Sequence, residues 1–70
     1  MGAVHSLTTR LTADELEARD TEVEPLVFPL RLNIYTPGDG VVLTSKDGAT
    51  FLGEIADVES WNGVFYVELT

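Results

Sequence analysis

Alternating apolar and polar residues in the second half of the chain predict several β-strands. Within residues 26–35 every second side chain is apolar, which is typical of a half-buried strand: Leu26, Phe28, Leu30, Leu32 and Ile34. Pro29 has no backbone amide to donate, so we expect this strand to lie at a sheet edge or to carry a bulge. Residues 36–40 contain Pro, Gly and Asp and predict a turn.

Two hairpins are predicted after this turn. The first turns at residues 46–48, with Gly48 in the left-handed conformation, and its register pairs Leu43 with Phe51. The second turns at Asn62-Gly63, which is the strongest short hairpin signal. These turns delimit strands over residues 41–45 and 49–60, and a last strand that follows Gly63.

In the strand over residues 49–60, odd-numbered residues are predicted to face the core at the start and even-numbered residues at the end. The first hairpin turns Ile55 inward, whereas the second pairs Val58 with Val67 and Ala56 with Leu69, which turns Ala56 inward. We therefore expect a bulge or sharp bend near Ala56-Asp57. A bent strand that serves two sheets is how small barrels close, so the pattern predicts a mainly β, SH3-like (Sm-like) barrel of about five strands. Its inward residues are Val41, Leu43, Phe51, Ile55, Ala56, Val58, Phe65, Val67 and Leu69.

The first part of the chain predicts an acidic arm with one short helix. Thr12 and Glu15 have the spacing of a capping box, in which each side chain bonds to the backbone amide of the other residue. This predicts a helix over residues 13–20. We expect the arm, residues 1–24, to precede a barrel domain formed by residues 25–70. A helix this short is unstable alone in water, so it needs a surface to pack on, either the barrel or a partner.

Residues 41–55 resemble the first motif of the Sm-like RNA-binding family. The shared features are the Lys-Asp-Gly turn at residues 46–48 and the Phe-x-Gly that begins at Phe51. The resemblance implies barrel-type strand geometry. The family continues with an Asp-x-x-Met-Asn segment and a second motif, whereas residues 59–63 of this chain read Glu-Ser-Trp-Asn-Gly. The parts that contact RNA in the family are missing here.

The charge of the chain excludes several classes of partner. Twelve acidic and four basic residues give a formal net charge of -8. The basic residues are scattered along the sequence: Arg10, Arg19, Arg31 and Lys46. Binding to nucleic acid by counterion release needs clustered Lys and Arg, so we expect no direct nucleic-acid binding and no attachment to membranes. Another protein with a basic surface is the favoured partner.

The chain carries little of the chemistry that catalysis or metal binding needs. It has no cysteine and one histidine, His5, so it can form neither a disulfide nor a zinc site of thiolates or imidazoles. We expect His5 to be solvated in a frayed N-terminus. The sequence therefore predicts a protein that is not an enzyme and binds no metal ion and no cofactor. The absence of cysteine favours a reducing, cytoplasmic location.

Aromatic residues that point outward from the last hairpin are the main candidate binding residues. Trp61 lies beside the Asn62-Gly63 turn and Tyr66 lies on the last strand, and both residue types commonly anchor interfaces. We expect three carboxylates around them: Asp57, Glu59 and Glu68. In the predicted register Asp57 faces Glu68 and Glu59 faces Tyr66.

A second candidate surface lies on the first hairpin. There the predicted register places Val42 opposite Leu52, and both point outward. The alternative is that leucines of the N-terminal arm cover this apolar patch and form a second small core: Leu7, Leu11 and Leu16.

Three functions are compatible with these residues. The leading hypothesis is an accessory subunit or adaptor that docks on a larger protein assembly, as an oligomer or complex subunit. The alternative is an inhibitor of viral type, whose acidic surface mimics nucleic acid and blocks a basic site on a host enzyme. The third is a diverged RNA-binding barrel. Strong salt dependence of partner binding would favour the mimic over the adaptor, because the mimic depends on charge.

Overall fold

A computed structural model describes residues 2–19 and 25–70, which form a curled five-stranded sheet and one short helix. The elements in chain order are β1 (Val4–Thr8), α1 (Ala13–Ala18), β2 (Leu26–Leu30), β3 (Gly40–Thr44), β4 (Thr50–Trp61) and β5 (Val64–Leu69). The strand order across the sheet is β1-β3-β4-β5-β2. The sheet curls into a half-barrel, so the predicted mainly β fold with one short helix is confirmed.

Both hairpins form at the predicted turns. Gly48 has a φ of 91°, and Asn62 and Gly63 have φ values of 55° and 79°, which are the left-handed conformations that these tight turns require. Leu43 pairs with Phe51 as predicted.

The long strand β4 bends where the pattern of inward residues changes parity. Val58 pairs with Val67, as predicted, and the register shifts between Ile55 and Asp57. The predicted pairing of Ala56 with Leu69 is wrong, because Ile55 pairs with Leu69 and Ala56 is the extra residue of the bulge. Ala56 is accordingly exposed instead of inward.

The core lies on the concave side of the sheet. Its buried hydrophobic side chains come from four strands: Leu7, Val41, Leu43, Ile55, Val67 and Leu69. Phe51 and Val58 are partly buried and pack against this cluster, and Phe65 is half-buried. Apart from Ala56, the residues of β3, β4 and β5 that were predicted to face inward therefore lie in the core or at its margin.

Strand β2 is an edge strand, as Pro29 predicted, and it is shorter than the alternating pattern. Its last residue, Leu30, pairs with Phe65, and β5 begins at Val64. The chain beyond Leu30 therefore has almost no strand left to pair with. Leu32 and Ile34, which were expected to face inward, are 61% and 55% exposed.

Strand β1 was not anticipated, and the prediction that His5 is solvated in a frayed terminus is wrong. β1 pairs in parallel with β3, with His5 opposite Val41 and Leu7 opposite Leu43. A parallel pair has no connecting turn to mark it, so no local feature of the sequence indicates this strand. The side chain of His5 is only 10% exposed.

Asp39 fastens β1 to the rest of the sheet. One carboxylate oxygen accepts hydrogen bonds from His5 Nε2 at 2.8 Å and from the amide of Thr36 at 3.2 Å. The other accepts from the amide of Ala3 at 3.3 Å. The imidazole of His5 also packs against the ring of Tyr35, with 4.7 Å between the ring centroids.

The backbone of the same turn holds β4 beside its bulge. The amide of Ile55 donates to the carbonyl oxygen of Asp39 at 2.9 Å, and the amide of Gly38 donates to the carbonyl oxygen of Ile55 at 2.8 Å. Ile55, the residue before the bulge, is thus bonded to the turn that contains Asp39. Because Asp39 also binds β1, the bend in β4 and the edge strand β1 are attached to the same turn.

Helix α1 begins with the predicted capping box between Thr12 and Glu15. Its last residue is Ala18. Residue 20, where the helix was predicted to end, lies outside the described residues. Residue 24, the last residue of the predicted N-terminal arm, also lies outside them. The helix packs on the sheet, since Leu16 contacts the core and the amide of Ala13 donates to Asp47 Oδ1 at 3.0 Å. No helix within the described ranges has the length and apolar character needed to cross a membrane.

Two substitutions on β4 test the inward and outward assignment. Ile55 is 2% exposed and Leu52 is 89% exposed. Ile55→Ala should lower the free energy of unfolding by about 2–5 kcal/mol, because it leaves a cavity in the core. Leu52→Ala should change it by no more than about 0.5 kcal/mol. Urea denaturation measures both, and equal losses would contradict the assignment.

The Asp39 carboxylate should make stability depend on pH in acid. The hydrogen bond from His5, with help from the amides of Thr36 and Ala3 and against the effect of burial, holds the pKa of Asp39 below its usual value of 3.8. A carboxyl group whose pKa is lowered by folding stabilises the protein above its unfolded pKa, and this stabilisation is lost as the pH falls through its folded pKa.

We therefore expect wild type to exceed Asp39→Asn in unfolding free energy at neutral pH, and the difference to shrink as the pH falls below 3.8. Urea denaturation of both proteins across this range measures the difference. A difference that stays constant with pH would show that the charge of Asp39 contributes nothing.

Candidate protein-binding face

The bulge at Ala56 decides which residues of β4 point outward. Phe51 and Ile55 face the core before it. With unbroken alternation the same side would carry Asp57, Glu59 and Trp61. The extra residue reverses the parity, so these three side chains lie on the convex side of the sheet, and all three are exposed. The acidic face is the name we give to the convex surface formed by β5, β2 and the part of β4 that follows the bulge. Its residues are Val27, Asp57, Glu59, Trp61, Tyr66 and Glu68.

The strand register brings most of these residues together. Asp57 lies opposite Glu68 and Glu59 lies opposite Tyr66, as the sequence predicted. On the other side of β5, Glu68 pairs with Val27 of β2. A shallow depression of about 120 Å³ lies among them and is lined by Val27, Asp57, Glu59, Tyr66 and Glu68. Four of the five predicted partner-binding residues thus border one surface depression.

Trp61 and Val27 differ from the sequence prediction in opposite ways. Trp61 does not line the depression; it lies at the end of β4 and is 68% exposed. Val27 does line it and was not predicted. The signal for Val27 was present in the sequence, because it is an apolar residue at an outward position of an alternating strand, and it is 48% exposed.

The acidic face gathers negative charge without neutralising it. Among the residues that the structure describes, no Lys or Arg lines the depression. Within the described part of the chain, the carboxylates of Asp57, Glu59 and Glu68 make no hydrogen bond or ion pair. Like charges directly opposite each other on neighbouring strands destabilise a sheet. The carboxylates therefore remain available to a cationic group, and their repulsion would be relieved by one.

The predicted apolar patch on the first hairpin is also present. Val42 pairs with Leu52 on the convex side of β3 and β4. Leu52 is 89% exposed, so the leucines of the N-terminal segment do not cover this patch. Leu7 lies instead in the core, and Leu16 packs against the core from its edge.

An apolar groove of about 140 Å³ lies beside this patch, at the open side of the half-barrel. It is lined by Leu16, Leu26, Leu43, Phe51, Leu52, Gly53, Leu69 and Thr70. No local sequence pattern predicts this groove, because its walls come from segments that are far apart in the chain.

The described residues contain no group of three or more His, Cys, Asp or Glu side chains arranged to hold a metal ion. His5 and Asp39 form the one imidazole–carboxylate pair of these residues, and both side chains are 10% exposed. Both Asp39 oxygens are engaged with β1 and the turn. This pair has a structural role in holding β1.

Comparison of the chain with known protein families, curated proteins and solved structures finds no significant match.

Removing one carboxylate from the acidic face should stabilise the protein. Glu68→Gln relieves the repulsion from Asp57 across the strand pair, so we expect the unfolding free energy to rise by about 0.2–1 kcal/mol, and by less in high salt. The matched control is Glu54→Gln, because Glu54 lies opposite Gly40 and has no acidic cross-strand neighbour there. Urea denaturation measures both variants. A loss of stability in Glu68→Gln, with Glu54→Gln unchanged, would mean that Glu68 contributes to the fold.

Proposed function

We propose that this chain is a non-enzymatic protein-binding module, an accessory subunit or adaptor whose acidic face docks on a basic surface of a larger protein assembly. The observation that carries the proposal is a set of three carboxylates beside Tyr66 and Trp61 that have no ion-pair partner among the described residues. A basic partner supplies counter-charges to Asp57, Glu59 and Glu68. The two aromatic side chains supply the apolar contact area that usually dominates binding energy at interfaces.

The proposed partner is a protein and not a nucleic acid or a membrane. The net charge of -8 repels phosphate groups, and none of the described side chains that line the depression is basic. A reducing, cytoplasmic setting is part of this proposal, because the chain has no cysteine.

We further propose that the half-barrel belongs to the SH3-like (Sm-like) type of small barrel. Support comes from the bent strand β4, which is shared between the pairing with β3 and the pairing with β5. In barrels of this kind a long bent strand allows one sheet to curl on itself. The diverged RNA-binding barrel is the weakest candidate. RNA binding needs cationic side chains, and the convex face of this chain carries carboxylates instead.

The second candidate function is an inhibitor that mimics nucleic acid. The clustering of unneutralised carboxylates on one face favours it, since such a surface can occupy a groove that normally binds phosphates. The two candidates differ in how their affinity is built. A mimic depends on many charge contacts and weakens steeply with salt, whereas an adaptor anchored by Trp61 and Tyr66 weakens less.

The test requires the partner first. Affinity capture from the native cell followed by mass spectrometry identifies it, and titration calorimetry then measures binding to wild type and variants. Trp61→Ala and Tyr66→Ala should remain folded by circular dichroism and each lose about 2 kcal/mol or more of binding free energy. Ile34→Ala, which truncates an exposed apolar side chain outside both candidate surfaces, is the control and should bind as wild type.

Three outcomes would contradict the proposal. Unchanged binding in both aromatic variants would move the interface away from the acidic face. Unfolding of Trp61→Ala would make Trp61 a residue of the fold instead of an anchor. Micromolar binding of single-stranded RNA or duplex DNA at about 0.15 M salt, measured by fluorescence anisotropy, would favour the RNA-binding barrel.

A further inference from the structure

The two edges of the sheet differ in how well they are protected against pairing with another strand. At one edge, β2 has Pro29 at its fourth position, which lacks an amide and so interrupts any added ladder. At the other edge, β1 reads Val-His-Ser-Leu-Thr, with no proline, Lys, Arg, Asp or Glu. Prolines, charged side chains and bulges are the usual devices that keep an edge strand from pairing. Strand β1 has none of them.

The hydrogen bonds to β3 show which backbone groups of β1 are free. The carbonyl oxygen of Ala3 accepts from the amide of Gly40, and the amide of Thr9 donates to the carbonyl oxygen of Thr44. In a parallel pair the bonding residues alternate, so His5 and Leu7 also bond to β3. The amides and carbonyls of Val4, Ser6 and Thr8 therefore point to the open edge. Within the described residues no strand pairs with that edge.

We propose that a second copy of this chain pairs with β1 in antiparallel orientation, with Ser6 opposite Ser6 of the second copy, and joins the two half-barrels into one continuous sheet. In this register Val4 lies opposite Thr8 of the second copy. Each such pair exchanges two backbone hydrogen bonds, because the free groups of Val4, Ser6 and Thr8 all face the edge. The arrangement has the two-fold symmetry of most homodimers.

The free backbone groups of Val4, Ser6 and Thr8 are symmetric about Ser6, so this edge is complementary to itself, and its lack of charge gives the basic partner nothing to bind. Two molecules with a net charge of -8 approach most easily where no exposed carboxylates face each other. The carboxylate beside β1 belongs to Asp39, but it is only 10% exposed and is bonded to His5 and to the amide of Ala3. The outward carboxylate of Glu54 on β4 is separated from Val4 by Gly40 of β3. The side chains of Val4, Ser6 and Thr8 are small and uncharged, so no like charges would meet across the new strand pair. The acidic face lies at the opposite end of the sheet and stays exposed in the dimer.

The dimer and the basic-partner complex should respond to salt in opposite directions. Salt screens the repulsion between two acidic copies, so we expect the dimer to strengthen in about 0.5 M NaCl. Salt weakens the attraction between the acidic face and a basic partner. The proposal is independent of the proposed function, and failure of either one leaves the other intact.

The experiment measures self-association of the full chain by analytical ultracentrifugation, from micromolar to millimolar concentration, at low and high salt. Ser6→Pro removes an edge-facing amide and no bond to β3, and it should raise the dimer dissociation constant about tenfold or more. Ser6→Ala keeps the amide and is the matched control; it should dimerise as wild type. A wild-type protein that is monomeric at every concentration in high salt overturns the proposal, as does a folded Ser6→Pro variant that dimerises normally.

Hydrogen exchange of the wild-type protein keeps the proposal testable if Ser6→Pro does not fold. The amides of Val4, Ser6 and Thr8 should become protected as the protein concentration rises. The amides of His5 and Leu7 are bonded to β3 and should be protected at every concentration. Concentration-dependent protection that appears elsewhere and not at Val4, Ser6 and Thr8 would place the contact on another surface and overturn the pairing by β1.

Discussion

Strand β4 has to pair with β3 at one end and with β5 at the other, and one extra residue in its middle allows both. The bulge at Ala56 bends the strand and reverses which side chains point inward. Before it, Phe51 and Ile55 face the core; after it, Val58 does so. An unbroken strand would turn Asp57 and Glu59 toward the apolar interior, where unpaired carboxylates are very costly. The curl of the sheet and the location of the acidic face both follow from this bulge.

The turn that contains Asp39 holds the bulge and the edge strand together. Its backbone bonds to Ile55 immediately before the extra residue, and its carboxylate bonds to His5 and to the amide of Ala3. A domain of this size has a small core, and folding leaves much of the surface of the unfolded chain still exposed to water. Polar attachments that join three segments distant in sequence are therefore important for keeping β1 in place, which in turn brings Leu7 into the core.

The surface that results divides into regions of different character along the sheet. The end formed by β4, β5 and β2 is acidic and aromatic, whereas strands β1 and β3 contain no Asp, Glu, Lys or Arg and β1 has an open edge. With the two proposed contacts, such a division would let one small domain hold a basic partner at one end and a second copy at the other. A dimer would then present two acidic faces, which raises the avidity for a partner with two basic sites.

The sequence by itself determined the features that depend on neighbouring residues. The Asn62-Gly63 turn fixes the register that places Asp57 opposite Glu68, the change of parity in β4 requires a bulge, and the capping box starts α1. The tertiary structure decided the features that depend on distant segments. Strand β1 joins the sheet by parallel pairing, which has no turn to reveal it, and β2 ends where β5 gives it nothing more to pair with. The tertiary structure also decided which residue is bulged. Ile55 lies opposite Leu69 and Ala56 does not, because Ile55 is bonded to a turn sixteen residues earlier in the chain.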